Sequence, residues 1–135
     1  MTFTKQLNEL CVNTLVDHLG IEFIESGEGY LVARMPVDER TRQPMGILHG
    51  GASLALAETV GSAGSIGMVD MSRYTVVGMQ VTANHVGMAA SGYATAFAKL
   101  VHKGTRTHIW DVTIRDDNGK NISLCRVTNM VIEKT

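Results

Sequence analysis

The chain has 135 residues, 44% of them apolar and 19% charged, with a formal charge of −1. This composition excludes a disordered chain, and the length predicts one domain over residues 1–135 that fills its core without staples. Lys and Arg are scattered rather than clustered, which excludes a basic nucleic-acid-binding surface.

Thr4 to Leu19 reads as the first helix, stopped by Gly20. Ile21–Ser26 and Gly29–Met35 read as two strands of a hairpin, with Gly27-Glu28-Gly29 supplying the turn and Pro36 ending the second strand. Val37 to Leu48 is polar and irregular and reads as a loop.

The next element, about His49 to Val69, is apolar or small almost all round, the pattern of a buried helix. Gly61, Gly64 and Gly67 recur along it. Each weakens a helix by roughly 1 kcal/mol relative to Ala, so a sheet or a ligand is expected to approach the backbone there.

Four strands follow: Tyr74–His85, Gly92–Val101, Arg106–Arg115 and Asn121–Ile132, the last two joined by the turn Asp116-Asp117-Asn118-Gly119. Their alternation predicts an antiparallel sheet with one covered face, formed in part by Val77, Met79, Val81 and Ala83 and by Ala94, Ala96, Ala98 and Leu100. The fold class is α+β, with one helix packed on the sheet.

Glu58 is the only acid between Glu39 and Asp70, and it lies mid-way along the helix expected to be buried. Two readings stand. It is a general base whose pKa burial would raise, or a structural carboxylate held by an Arg or by backbone amides. His49, with Gly50-Gly51 behind it, is either a helix cap or part of a helix N-terminus opened to a substrate carbonyl. Ser62 is one turn beyond Glu58 on the same face and could orient the carboxylate or a water. No G-x-S-x-G, P-loop, dinucleotide fingerprint or H-E-x-x-H occurs. His85, His102 and His108 are expected at the surface or on ligand rather than in a metal site.

Cys11 and Cys125 are far apart, with no CxxC and no zinc spacing, and are expected to be free thiols in a reducing cytoplasm. The N-terminus lacks a signal-peptide layout, and Gly46–Val69 carries His49 and Glu58, so neither a leader nor a membrane span is expected.

The run from Gln43 to Ser62, which reads QPMGILHGGASLALAETVGS, resembles the signature of hotdog-fold acyl-CoA thioesterases. It is most similar to the branch acting on aromatic acyl-CoA or acyl-carrier-protein thioesters, which includes 1,4-dihydroxy-2-naphthoyl-CoA hydrolases and enterobactin proofreading thioesterases. Met35-Pro36-Val37-Asp38, Val76-Val77-Gly78 and Asn84-His85 match as well.

The resemblance implies a hotdog fold, a long helix wrapped by an antiparallel sheet, in a homodimer joined sheet edge to sheet edge and often paired again into a tetramer. It implies a site shared by two copies. Glu58 comes from one copy as nucleophile or general base, and Gln43, His49 and the Gly50 N–H come from the other, with Ser62 near the acyl group. It implies no cofactor beyond the CoA of the substrate. CoA contacts fall at Gly78, at His85, Val86, Gly87 and Met88, and at His102, Lys103, Gly104, Thr105, Arg106 and Thr107. Lys103 and Arg106 are the expected phosphate partners. The family often has a basic residue where this chain has Gly87. A hotdog hydratase or dehydratase would need an acid–base pair and a His-Phe-Pro type motif that the sequence lacks. A non-catalytic acyl-CoA sensor would carry a DNA-binding module.

Overall fold

The computed structural model describes residues 1–135. The first helical segment is broken in two: α1 (Phe3–Leu10) and α2 (Leu15–His18) replace the single helix expected over Thr4–Leu19. The break has a local cause. Asn13 adopts the left-handed conformation, with φ of 64°, its N–H is taken by Asp17, and the Thr14 hydroxyl donates to the Cys11 carbonyl at 2.5 Å. Short polar side chains compete for the backbone bonds that a continuous helix would need.

β1 (Glu22–Gly27) and β2 (Tyr30–Pro36) form the expected hairpin, with Gly27 paired to Tyr30 and Gly29 at φ of 73° in the turn. α3 (Gly50–Ile66) follows the loop, and then β3 (Tyr74–His85), β4 (Tyr93–Lys103), β5 (Thr107–Arg115) and β6 (Asn121–Glu133). The six strands form one antiparallel sheet in the order β1-β2-β4-β5-β6-β3, so β3 and β1 are its edges.

The core lies between α3 and one face of the sheet. Ala94, Ala96 and Ala98 of β4 and Trp110, Val112 and Ile114 of β5 are buried beneath it, together with Leu56, Ala57 and Val60 of the helix. The glycine stripe marks close approach by protein. A Cβ at Gly61 would sit 3.0 Å from Val127 Cβ, one at Gly64 2.6 Å from the Trp110 ring, and one at Gly67 2.9 Å from the Phe3 ring. The helix therefore rests directly on β5, β6 and α1.

β3 departs from its expected alternation. Its pairing with β6 shifts register between Gly78 and Gln80, so Met79 is bulged, and Val77 (43%) and Met79 (52%) are exposed, whereas Val81 and Ala83 pack on the core. An extra residue in one strand reverses the alternation across it. No helix of the chain is long and apolar enough to cross a membrane.

Candidate functional site

Two features stand along the free β3 edge. The first is Glu58. It is exposed, contrary to the burial expected from the composition of its helix. The helix is covered on its sheet side but not on the side that carries Glu58, because no element of this chain lies beyond β3. The carboxylate is seated on the bare backbone of Gly78. A Cβ there would overlap Oε2 and lie 3.0 Å from Cδ. No Arg and no backbone amide binds Glu58, so the structural-carboxylate reading has no partner here.

Glu58 also lines an apolar groove of about 470 Å³ between α3 and the α1–α2 segment. Leu7, Leu10, Leu15, Phe23 and Ile66 supply much of its wall, and Thr59 and Ser62 supply polar points. Ser62 faces the groove but does not bind Glu58. Its hydroxyl is 3.3 Å from Asn129 Oδ1.

The second feature is the α3 N-terminus. His49 is the N-cap, and its Nδ1 accepts the Gly51 N–H at 2.7 Å. An accepting Nδ1 carries no proton, so the neutral ring holds its proton on Nε2, where it is free to donate outward. The Gly50 N–H takes no part in the hydrogen bonds of the chain, as expected in a first helical turn. The cap and the opened helix end, set apart as alternatives in the sequence, therefore coexist. His49 caps with one nitrogen and presents the other.

Gln43 anchors the turn that leads into this helix. Its N–H donates to Ile47 O at 2.8 Å, its carbonyl accepts from Gly46 at 2.9 Å, and its Oε1 accepts from the Met45 N–H. The amide Nε2 is left as a donor.

His85, Val86, Gly87 and Met88 meet the same helix end. A Cβ on Gly50 would lie 2.8 Å from His85 Nε2, and the His85 Nδ1 is 3.0 Å from the Ser123 hydroxyl. These residues, with Gly50, Ser53 and Lys120, line a cavity of about 390 Å³. Gly87 has a structural reason to lack a side chain, since a Cβ there would collide with the Asn121 carbonyl.

The chain does not bring all the singled-out residues together. Glu58 stands about 12 Å along the helix axis from Gly50. His102, Lys103, Gly104, Thr105, Arg106 and Thr107 surround the β4–β5 turn at the opposite end of α3, where Lys103, Gly104 and Thr105 share a cavity with Met68, Val69 and Asp70. A larger cavity of about 730 Å³, bounded by the β1–β2 turn and Trp110, contains none of Glu58, His49 or Gln43.

The sequence reading missed a buried polar cluster beneath Ser62. Ser65 Oγ accepts from Trp110 Nε1 at 2.8 Å and from Asn129 Nδ2 at 2.9 Å, and lies 2.8 Å from His108 Nδ1. With two donors aimed at its oxygen, the one hydroxyl proton of Ser65 goes to His108 Nδ1. His108 is thus held neutral with its proton on Nε2. It is 1% exposed, which corrects its expected surface position, and burial pushes its pKa below the usual histidine range, with Lys103 and His102 adding to the shift. The signal was present. His108 is in phase with Trp110, Val112 and Ile114, and Asn129 with Val127 and Val131, on the core-facing side of their strands.

A family model described as thioesterase superfamily matches residues 45–123. A crystal structure of a mutant form of the thioesterase PA1618 of Pseudomonas aeruginosa superposes with a TM-score of 0.95 at 44% identity, covering 97% of this chain and 94% of that one. The thioesterase HI1161 of Haemophilus influenzae superposes with a TM-score of 0.94 at 42% identity, covering 98% and 92%. The proofreading thioesterase EntH of Cronobacter turicensis is 40% identical over 126 residues, 93% of this chain and 91% of that protein.

Proposed function

Since the chain belongs to the thioesterase superfamily of hotdog-fold hydrolases, we propose that it cleaves acyl-CoA or acyl-carrier-protein thioesters of aromatic acids at a site shared by two copies. The observation that carries this reading is the separation of its two halves. Glu58 sits on Gly78 and the open helix end sits on His85, and both Gly78 and His85 are residues of β3, whose outer edge is free.

A long edge strand with exposed Val77 and Met79 is a template for pairing. Antiparallel pairing of β3 with its counterpart, centred near Val81 and Thr82, would set Gly78 opposite His85 of the second copy. That register brings Glu58 of one copy to His49 and Gly50 of the other, twice per dimer by symmetry.

In such a site the thioester carbonyl oxygen accepts from the Gly50 N–H and the His49 Nε2–H, which face charge that grows as the carbonyl is attacked. Glu58 attacks the carbonyl carbon, the C–S bond breaks as the thiolate leaves, and water hydrolyses the resulting mixed anhydride to the free acid; or Glu58 takes a proton from a water that attacks the carbonyl carbon, the C–S bond breaks, and that proton passes to the departing thiolate. Gln43 Nε2 is a donor for the thioester or the water. The apolar groove beside Glu58 suits an aryl group, and the His85–Met88 cavity suits the pantetheine arm.

Thiol release from a panel of aromatic and aliphatic acyl-CoAs tests the proposal. Hydrolysis is expected to be fastest with aryl thioesters and to fall about 10³-fold in Glu58→Ala. Water addition to an enoyl thioester without thiol release would contradict it.

A further inference from the structure

Asn129 is completely buried on β6, and the hydrogen bonds of its side-chain amide all run to α3. Its Nδ2 donates to the Gly61 carbonyl at 3.1 Å and to Ser65 Oγ at 2.9 Å. A carbonyl can only accept, so the amide cannot be turned over, and Oδ1 must face Ser62. Oδ1 can only accept in its turn. The Ser62 hydroxyl, 3.3 Å away, is therefore obliged to donate to it.

A serine has one proton. Once this is spent inward, only the lone pairs of Ser62 Oγ remain for the groove in which it lies beside Glu58 and Thr59. We infer that Asn129 is a positioning residue that fixes the polarity of Ser62, making it a hydrogen-bond acceptor that selects acyl groups bearing a donor such as a ring hydroxyl.

The inference rests on the reading of the groove as the acyl site, and it adds a direction to that reading. A donor on the acyl group gains a partner. An isosteric group that cannot donate leaves the Ser62 lone pairs facing it without one. One such bond corresponds to about five- to tenfold in kcat/KM.

The same cluster makes the arrangement rigid. Ser65 is held by Trp110, His108 and Asn129 together, so rotation of the Asn129 amide would break bonds on both of its ends. Glu58 takes no part in this network, so the selectivity and the hydrolytic step are carried by different groups.

The test is a series of hydroxybenzoyl-CoA isomers against the matching methoxybenzoyl-CoA isomers, whose ether oxygen accepts but cannot donate, read as the ratio of kcat/KM at each ring position. The native protein is expected to favour hydroxyl over methoxy about five- to tenfold at one position or more. Asn129→Ala frees the Ser62 proton to point into the groove, where it serves an ether oxygen as well as a hydroxyl, and is expected to bring that ratio to within about twofold of one. Asn129→Ser, too short to reach Ser62, replaces the alanine variant if the latter does not stay folded. Because the readout is a ratio within one protein, a general loss of stability does not move it. An unchanged ratio in Asn129→Ala or Asn129→Ser, or a native protein that hydrolyses both series equally, would overturn the inference. Failure of the native protein to hydrolyse any member would overturn the reading of the site as well.

Discussion

The Glu58 carboxylate rests against Gly78, and the missing side chain at Gly78 is what gives it room. The acid belongs to the middle of α3 and the glycine to the free edge strand, so the catalytic candidate is seated where the sheet would be extended by another copy.

Gly78→Ala tests this seat. The new Cβ would meet the mobile end of a glutamate side chain, which can swing away, so stability is expected to change by less than about 1 kcal/mol. The displaced carboxylate would lose its alignment, and kcat is expected to fall at least about tenfold. Steady-state kinetics beside a urea melt separate the two effects.

Ser65→Ala removes the hub of the buried cluster. Trp110 Nε1, His108 Nδ1 and one hydrogen of Asn129 Nδ2 would lose their partner at once. Each unsatisfied buried group is costly, so a loss of about 2–4 kcal/mol is expected in equilibrium unfolding, far beyond that of a surface serine.

His108 should make stability pH-dependent in a definite direction. Its folded pKa is lowered by burial and by the charges of Lys103 and His102. The unfolded chain takes up a proton near about pH 6.5 that the folded chain refuses. The stabilisation is therefore complete above that pH and is lost as pH falls towards the folded value. Urea midpoints measured from pH 7.5 down to 5 should decline, and His108→Gln should flatten the decline. A midpoint that rises on acidification would contradict the neutral assignment.

Gly87 is expected to resist side chains. A Cβ there meets the backbone carbonyl of Asn121, which has no rotamer with which to yield. Gly87→Arg, which restores the basic residue frequent in the family, is expected to cost about 1–3 kcal/mol rather than to improve CoA binding. Unfolding measurements on Gly87→Ala and Gly87→Arg should show the same loss, since both carry the offending Cβ.

Much of this architecture was legible in the residues themselves. The alternation of Trp110, Val112 and Ile114, the Gly29 and Gly119 turns and the small-residue helix specify an α3 lying on an antiparallel sheet. What escaped was local or relational. The α1–α2 break depends on the conformation of a single residue, Asn13, within an otherwise helix-compatible run. The bulge at Met79 exposes residues whose sequence alternation pointed inward. The apolar surroundings of Glu58 in sequence suggested burial within the chain, whereas the structure leaves that side of the helix open. Ser65, His108 and Asn129 looked unremarkable singly, and only their convergence from α3, β5 and β6 makes them a network.

The shared site can be tested by mixing two inactive forms. A Glu58→Ala copy keeps His49 and Gly50, and a His49→Ala copy keeps Glu58. If each site takes Glu58 from one copy and His49 from the other, every mixed dimer has one intact site and one doubly defective site. Co-refolded in equal amounts, the two variants are expected to regain about one quarter of native thiol release, because about half of randomly formed dimers are mixed. Activity that stays at the level of the separate variants, with mixed dimers verified by tags of different mass, would contradict a site built from two copies.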